Sequence, residues 1–196
     1  MYKDWTGNSS LYVTNHRAKD EDVALHDFYA THPSMAEHIL KLEPQLNNIW
    51  EPACGMGHLA KVFDKYGKLK FASDLYNYNY GLANVDFLSI SEQYDGDIVT
   101  NPPYKYALEF CKKALDVVKE GRFVCMFMKL TFLEGKKRKQ FFIDNPPIRI
   151  YVSSTRTECG KNGIFISKDG TASAVCYAWY VWQKGNKQLP VLNWFN

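Results

Sequence analysis

The sequence predicts one α/β domain built on a largely parallel β-sheet. Apolar runs of strand length recur along the chain with helical stretches between them, which is the alternation expected of such a domain. The chain has 196 residues, of which 46% are hydrophobic and 15% aromatic. That composition is sufficient to bury one core of ordinary size. Residues 1–196 are therefore expected to form a single domain, in which residues 1–26 are an N-terminal extension.

Four strands are predicted in the first half of the chain, each from an apolar run that ends at a turn signal. They are placed at 48–50, 69–73, 84–88 and 97–100. A helix over 58–66, broken by Gly67, follows the first strand. The fourth strand is expected to stop at residues 101–103 (NPP), because proline has no N–H to give to a ladder and restricts the residue before it.

The second half of the chain is predicted to hold two helices and three strands. In the first helix, apolar side chains recur at spacings of three and four, and Gly121 ends the pattern. The last two strands lie on either side of a glycine-rich polar loop and are expected to pair as a C-terminal antiparallel hairpin. The helices are placed at 104–120 and 134–144, and the strands at 122–130, 148–152 and 173–182.

Composition limits the classes of function. The formal net charge is only +3, so a nucleic-acid partner would have to be held by a local basic patch. No run approaches the roughly 18 apolar residues of a membrane span, and the N-terminus lacks the apolar core of a signal peptide, which predicts a cytoplasmic protein without a membrane partner. The five cysteines are scattered without CxxC spacing, so no metal site is predicted.

Residues 51–57 (EPACGMG) have the features of a ligand-binding turn. Gly55 and Gly57 stand between a predicted strand and a predicted helix, where glycine lets the backbone approach a ligand closely. A third glycine is missing, and Glu51 would be badly placed beside a pyrophosphate, so the turn suits a cationic ligand better than a dinucleotide. Asp74 ends the next strand roughly 20 residues on, the distance at which an acid in such folds receives ribose hydroxyls.

The end of the third predicted strand adds a candidate for a nucleobase site. Asp86 is placed to accept a hydrogen bond from an adenine amino group, while Phe87 or Leu75 covers the face of the ring. Ligands in open α/β sheets bind outside the carboxyl ends of the strands. Acids at successive strand ends therefore favour one shared site.

Residues 101–104 (NPPY) predict chemistry at an amino nitrogen. Such a nitrogen on a nucleobase is a poor nucleophile because its lone pair is delocalised into the ring. The side-chain oxygen of Asn101 and the carbonyl of Pro102 can accept from the amino group as positive charge develops on it. Pro103 stiffens the turn, and Tyr104 offers a ring on which an extruded base can stack. A second NPP at 145–147 lacks the aromatic residue and is interpreted as a helix stop.

These two motifs together resemble the amino-methyltransferase branch of the Rossmann-like S-adenosylmethionine-dependent class I methyltransferases, and especially the small phage-type DNA N6-adenine methyltransferases. The resemblance implies S-adenosylmethionine as cofactor, DNA as partner, methylation of adenine N6 at specific sites, a place in restriction-modification, and the cytoplasm of a bacterium or phage-infected host. Residues 27–33 (DFYATHP) resemble the family's N-terminal cofactor motif. The predicted cofactor set is Tyr29, Thr31, Glu51, Pro52, Cys54, Gly55, Gly57, Asp74, Leu75, Asp86, Phe87 and Asn101.

The substrate polymer is less strongly indicated, since the chain has no room for the separate target-recognition domain of larger adenine methyltransferases. Residues 131–172 are the expected nucleic-acid-contacting segment, because basic residues there can neutralise phosphates. The candidates are Lys136, Lys137, Arg138, Lys139, Arg156 and Lys161, with Lys168. A solvated helix face and loop is the alternative for each of them.

Three other functions stay open at this point. A protein glutamine methyltransferase faces the same electronic problem at a side-chain amide. A methyltransferase acting on adenine in structured RNA stays open, as does one acting on cytosine N4, although the cytosine branch more often has serine in place of Asn101. A non-catalytic anti-restriction DNA-binding protein is the alternative from another class, although it would need neither Asn101 nor the cofactor acids.

Overall fold

The computed structural model describes residues 29–155, 159–161 and 175–196. Within them, nine strands form a seven-stranded sheet and a separate two-stranded sheet. In chain order the strands are β1 (Tyr29–Thr31), β2 (Ile49–Glu51), β3 (Leu69–Ala72), β4 (Ile98–Thr100), β5 (Phe123–Lys129), β6 (Arg149–Ser153), β7 (Cys159–Lys161), β8 (Tyr177–Gln183) and β9 (Val191–Phe195).

The large sheet has the order β3-β2-β4-β5-β8-β6-β9. β8 runs antiparallel to both of its neighbours, and the other pairs are parallel. The prediction of a mostly parallel sheet with a C-terminal antiparallel hairpin is therefore confirmed, with β6 and β8 as the hairpin strands. Neither β9 nor the antiparallel pairing of β1 with β7 was predicted.

Helices cover both faces of this sheet. They are α1 (Ser34–Leu42), α2 (Ala60–Lys65), α3 (Ala107–Val117) and α4 (Lys136–Asp144). Side chains of β5 alternate between the faces, so that Val124 and Met126 pack with α3 and α4 while Cys125 and Phe127 pack with α1 and α2. Burial on both faces explains why β5 reads as a continuous apolar run.

One predicted element does not form. The third strand expected at 84–88 is replaced by a loop and a short 3₁₀ helix, Phe87–Ser89. The Asp86 side chain accepts a hydrogen bond from the Leu88 backbone N–H at 3.0 Å, which caps that helix. An aspartate that bonds its own backbone two residues on favours a turn over a strand, and this local preference prevails here.

The parallel register brings separate sequence motifs to one edge of the sheet. Glu51 closes β2 opposite Ala72 of β3, and β4 ends at Thr100, directly before Asn101. Because β2, β3 and β4 run in the same direction, their carboxyl ends meet at this edge. The glycine turn, Asp74 and the NPPY tetrapeptide are thus neighbours in space.

Candidate active site

A cavity of about 550 Å³ opens at the carboxyl edge of the sheet. This volume is within the range of small-molecule sites in proteins. Its walls come from β1, from the loops that follow β2, β3 and β4, and from the start of α3. The residues of the predicted cofactor and catalytic sets that line it are Thr31, Glu51, Pro52, Cys54, Asp74, Leu75, Asp86, Phe87, Asn101, Pro102, Pro103 and Tyr104.

The two glycines of the turn do not line the cavity. Both have positive φ, 50° at Gly55 and 78° at Gly57, which only glycine adopts without strain. The Gly55 N–H donates to Asp74 Oδ2 at 2.9 Å, and a Cβ on Gly57 would lie 2.4 Å from the ring of Tyr80. The turn therefore needs glycine to approach protein atoms. The side chain of Tyr29 lies outside the described part of the structure.

Glu51 is a buried carboxylate at the cavity wall, only 2% exposed. Burial raises its pKa well above the usual value, the backbone N–H of Ala60 lowers it, and the nearby charge of Asp74 raises it further. Its Oε2 atom has no hydrogen-bond partner among the described residues. Leaving a buried carboxylate oxygen unsatisfied costs free energy, which a cation bound in the cavity would offset.

Asp74 is held by the backbone on both oxygens. Oδ2 accepts from Gly55 N at 2.9 Å and Oδ1 from Tyr76 N at 3.0 Å. A carboxylate oxygen can accept more than one hydrogen bond, and Asp74 lines the cavity. Two backbone bonds fix its direction, which is a requirement for recognising a hydroxyl pair.

The tetrapeptide is anchored through Asn101 and Tyr104. Asn101 Nδ2 donates to Thr31 Oγ1 at 2.8 Å, which commits the amide nitrogen to Thr31 and turns Oδ1 away from it. Thr31 is itself only 3% exposed. The Tyr104 hydroxyl donates to the Tyr177 hydroxyl at 3.3 Å. Pro102 is buried between these anchors, so the whole turn is held in one position.

Further residues in or near the cavity were not among those predicted from the sequence. His58 and Lys105 line the cavity. The pKa of His58 is lowered chiefly by burial and also by the nearby charge of Lys61. Tyr76, from the tyrosine-rich loop after Asp74, lines it as well. Lys129 is buried with its Nζ 4.1 Å from the centre of the Tyr104 ring. In the sequence, Lys129 is distinguished only as the single charged residue at the end of an otherwise apolar strand.

The predicted nucleic-acid contacts separate into two groups. Lys136, Lys137 and Lys139 are exposed on α4. Arg138 is half-buried, donates from Nε to the Glu134 carbonyl at 2.7 Å, and packs 5.0 Å from the ring centre of Phe132. The Arg138 guanidinium is thus engaged in contacts within the protein, with Glu134 and Phe132. Arg156 and Lys168, and the side chain of Lys161, lie outside the described residues.

None of the helices described is long and apolar enough to cross a membrane.

No protein-family model matches the chain, and no curated protein matches it. Among solved structures, a putative RNA methyltransferase from Pyrococcus horikoshii is similar with a TM-score of 0.59 at 13% identity, over 93% of this chain and 98% of that one. For a putative class I S-adenosylmethionine-dependent methyltransferase from Listeria monocytogenes, the TM-score is 0.57 at 13% identity, over 84% of this chain and 65% of that one.

The M protein of the type I restriction enzyme EcoKI is also similar, with a TM-score of 0.56 at 16% identity, over 85% of this chain and 46% of that one. The chain thus spans slightly less than two thirds of the Listeria protein and under half of the EcoKI subunit. At such low identities the likeness concerns the fold. The chain has the Rossmann-like fold of class I methyltransferases.

Proposed function

We propose that this protein transfers a methyl group from S-adenosylmethionine to the exocyclic amino group of a nucleobase, namely N6 of adenine in DNA. One observation carries the proposal. Asn101, with its amide nitrogen held by Thr31, lines the same cavity as the buried carboxylate of Glu51. An acceptor suited to an amino group and an acid suited to a cation therefore meet in one site.

The residues present fit the cofactor. S-adenosylmethionine carries an ammonium and a sulfonium, and when bound it supplies an electrophilic methyl group. Glu51, with its unsatisfied Oε2, would hold the cationic methionine end. Asp74 would accept from the ribose hydroxyls, and Leu75 and Phe87 would cover the adenine ring. These roles follow from the charged and apolar side chains that line the cavity.

The tetrapeptide would activate and hold the target nitrogen. Oδ1 of Asn101 and the carbonyl of Pro102 accept from the amino group and so draw its lone pair out of conjugation. The ring of Tyr104 stacks on the base. As the new N–C bond forms, the methyl–sulfur bond would break and the sulfur would leave as a neutral thioether. The preorganised acceptors stabilise positive charge on nitrogen, and one amino proton then passes to solvent. Acceptors of this kind contribute about 3 kcal/mol each to lowering a barrier.

DNA is proposed as the polymer on two grounds. The NPPY and glycine-turn motifs resemble those of phage-type adenine methyltransferases, and the EcoKI M protein, a subunit of a restriction enzyme, shares the fold. Exposed lysines of α4 supply positive charge for phosphates. A role in restriction-modification in the cytoplasm of a bacterium or phage-infected cell belongs to the same proposal. RNA is the competing polymer, since a putative RNA methyltransferase has a similar structure.

The test is a direct assay with methyl-labelled S-adenosylmethionine. Unmethylated duplex DNA, single-stranded DNA, structured RNA and a protein lysate are offered separately, and labelled polymers are digested and separated as nucleosides or amino acids. We expect N6-methyl-2′-deoxyadenosine from DNA. Label in RNA or in N4-methylcytosine would change the substrate but keep the reaction class. Label confined to protein, or cofactor binding without any transfer, would refute the nucleobase proposal.

A further inference from the structure

A buried lysine lies behind the aromatic residue of the tetrapeptide. Lys129 is the last residue of β5 and is 6% exposed. Its Nζ lies 4.1 Å from the centre of the Tyr104 ring, which is well within cation–π distance. Removing an ammonium from water is costly, so contacts that stabilise this one matter to the local structure.

The ammonium of Lys129 lies against a ring of the cavity wall. Tyr104 lines the cavity, whereas Lys129 is not among the lining residues. The ammonium therefore contacts the Tyr104 ring without lining the cavity itself. A methionine would fill the same space at the end of an apolar strand without placing a charge there, so volume alone does not account for lysine.

The ring has a second anchor on the neighbouring strand. The Tyr104 hydroxyl donates to the Tyr177 hydroxyl at 3.3 Å, and Tyr177 is only 4% exposed. Tyr177 stands opposite Lys129 in the β5–β8 register, and its ring stacks on Phe127 with centroids 5.3 Å apart. The paired strands β5 and β8 thus carry two groups that contact Tyr104: the ammonium of Lys129 over its ring and the hydroxyl of Tyr177 at its hydroxyl.

We propose that Lys129 is a positioning residue, whose ammonium holds the Tyr104 ring in the orientation on which the target base stacks. This inference rests on the proposed function. Lys129 contacts neither base nor cofactor in this arrangement and acts through the ring. Since a desolvated cation–π contact stabilises the ring in this orientation, its loss lowers the fraction of enzyme in which the ring is correctly placed.

Two substitutions and a double-mutant cycle test the proposal. Lys129→Met removes the charge and keeps the length of the side chain, and Lys129→Arg keeps a cation. On whichever polymer the wild type methylates, we expect Lys129→Met to lower kcat/KM about tenfold and Lys129→Arg to restore most of it. In a Tyr104→Ala background, Lys129→Met is expected to change kcat/KM less than twofold. Affinity for S-adenosylhomocysteine, measured by calorimetry, should stay within twofold of wild type.

A readout independent of activity follows the ring itself. With 3-fluorotyrosine incorporated at position 104, the ¹⁹F resonance should shift or broaden in Lys129→Met and return toward its original position in Lys129→Arg. Thermal unfolding shows whether each variant folds. If Lys129→Met does not fold, Lys129→Arg is compared with wild type instead. If the wild type methylates no polymer, the proposed function fails while the resonance still reports on the ring.

Two outcomes would overturn the inference. Equal losses from Lys129→Met in the presence and absence of the Tyr104 ring would mean that the lysine acts elsewhere. An unchanged ¹⁹F resonance with full activity would mean that the ring holds its place without the ammonium.

Discussion

Glu43 and Glu51 are both buried glutamates, yet their surroundings differ. Glu43, just beyond α1, is 1% exposed and accepts hydrogen bonds from the guanidinium of Arg149 and from the Tyr151 hydroxyl, the latter at 2.7 Å. Glu51, at the cavity, is 2% exposed, and its Oε2 has no partner among the described residues. The Glu43 carboxylate therefore has its hydrogen-bond donors within the protein, whereas Oε2 of Glu51 is available to accept from a bound ligand.

The proposed function makes Glu43 a structural acid and Glu51 a ligand-binding one. The hydrogen bond from Arg149 to Glu43 raises the pKa of Arg149, whereas burial lowers it, and the ion pair ties the end of α1 to β6. Burial raises the pKa of Glu51 instead, with Asp74 adding like charge. A protein site that is destabilised when empty and complementary to a cation is typical of binding and catalytic positions.

The largest effect is expected at the cavity, on Asn101. Asn101→Ala should lower methyl transfer at least about a hundredfold, equivalent to about 3 kcal/mol, because it removes an acceptor for the target amino group. Steady-state transfer assays measure this, while calorimetry with S-adenosylhomocysteine should show affinity within about fivefold of wild type. Asn145→Ala, in the other NPP segment, is the matched control and should transfer normally. Full activity in Asn101→Ala would remove that side chain from the mechanism.

Next in size is the loss of the structural acid. Glu43→Ala leaves the Arg149 guanidinium, which is 30% exposed, without its buried partner. We expect a loss of about 2–3 kcal/mol in the free energy of unfolding, somewhat less than for a fully buried pair. Urea unfolding measures it. Because the cavity is built from other residues, the folded variant should retain its cofactor affinity. A loss of cofactor binding without a loss of stability would contradict a purely structural role for Glu43.

Glu51→Gln should show the opposite of Glu43→Ala: unchanged or higher stability and weaker cofactor binding. It removes a buried charge, so the free energy of unfolding is expected to stay equal or rise by about 1 kcal/mol. Affinity for S-adenosylmethionine should fall about tenfold or more, because a charged hydrogen bond to the methionine end is lost. Parallel unfolding and calorimetry experiments decide this. A large drop in stability with unchanged affinity would make Glu51 structural, like Glu43.

The smallest effect concerns pH. A carboxyl whose pKa is raised in the folded state binds more protons there than in the unfolded chain, so its contribution to stability is complete below the ordinary pKa of 4.5 and is lost as pH rises toward the raised value. Binding a cation favours the ionised form. Cofactor binding to wild type should therefore release protons and strengthen as pH rises through the Glu51 pKa. Calorimetry in buffers of different ionisation enthalpy should show this release in wild type and its reduction in Glu51→Gln.

Much of the fold was predictable because local signals were unambiguous. The strands β2, β4 and β5 are buried, largely apolar runs, and α3 follows a regular spacing of three and four. The second NPP ends α4 at Asp144, as predicted. The strand expected at 84–88 failed because Asp86 bonds its own backbone. β9 was not predicted although four of its five residues are apolar; it forms the edge of the sheet, with every side chain except that of Phe195 exposed.

The sequence by itself was enough to select the residues of the proposed site, since Glu51, Asp74 and the NPPY tetrapeptide each stand at a recognisable strand end. Only the tertiary structure decided which polar atoms are satisfied and which face the cavity. Gly55 bonds Asp74, Thr31 orients Asn101 across 70 positions of sequence, and Lys129 contacts Tyr104 from another strand. The reason is physical: hydrogen-bond satisfaction and desolvation depend on distances between segments, and no local sequence pattern encodes those distances.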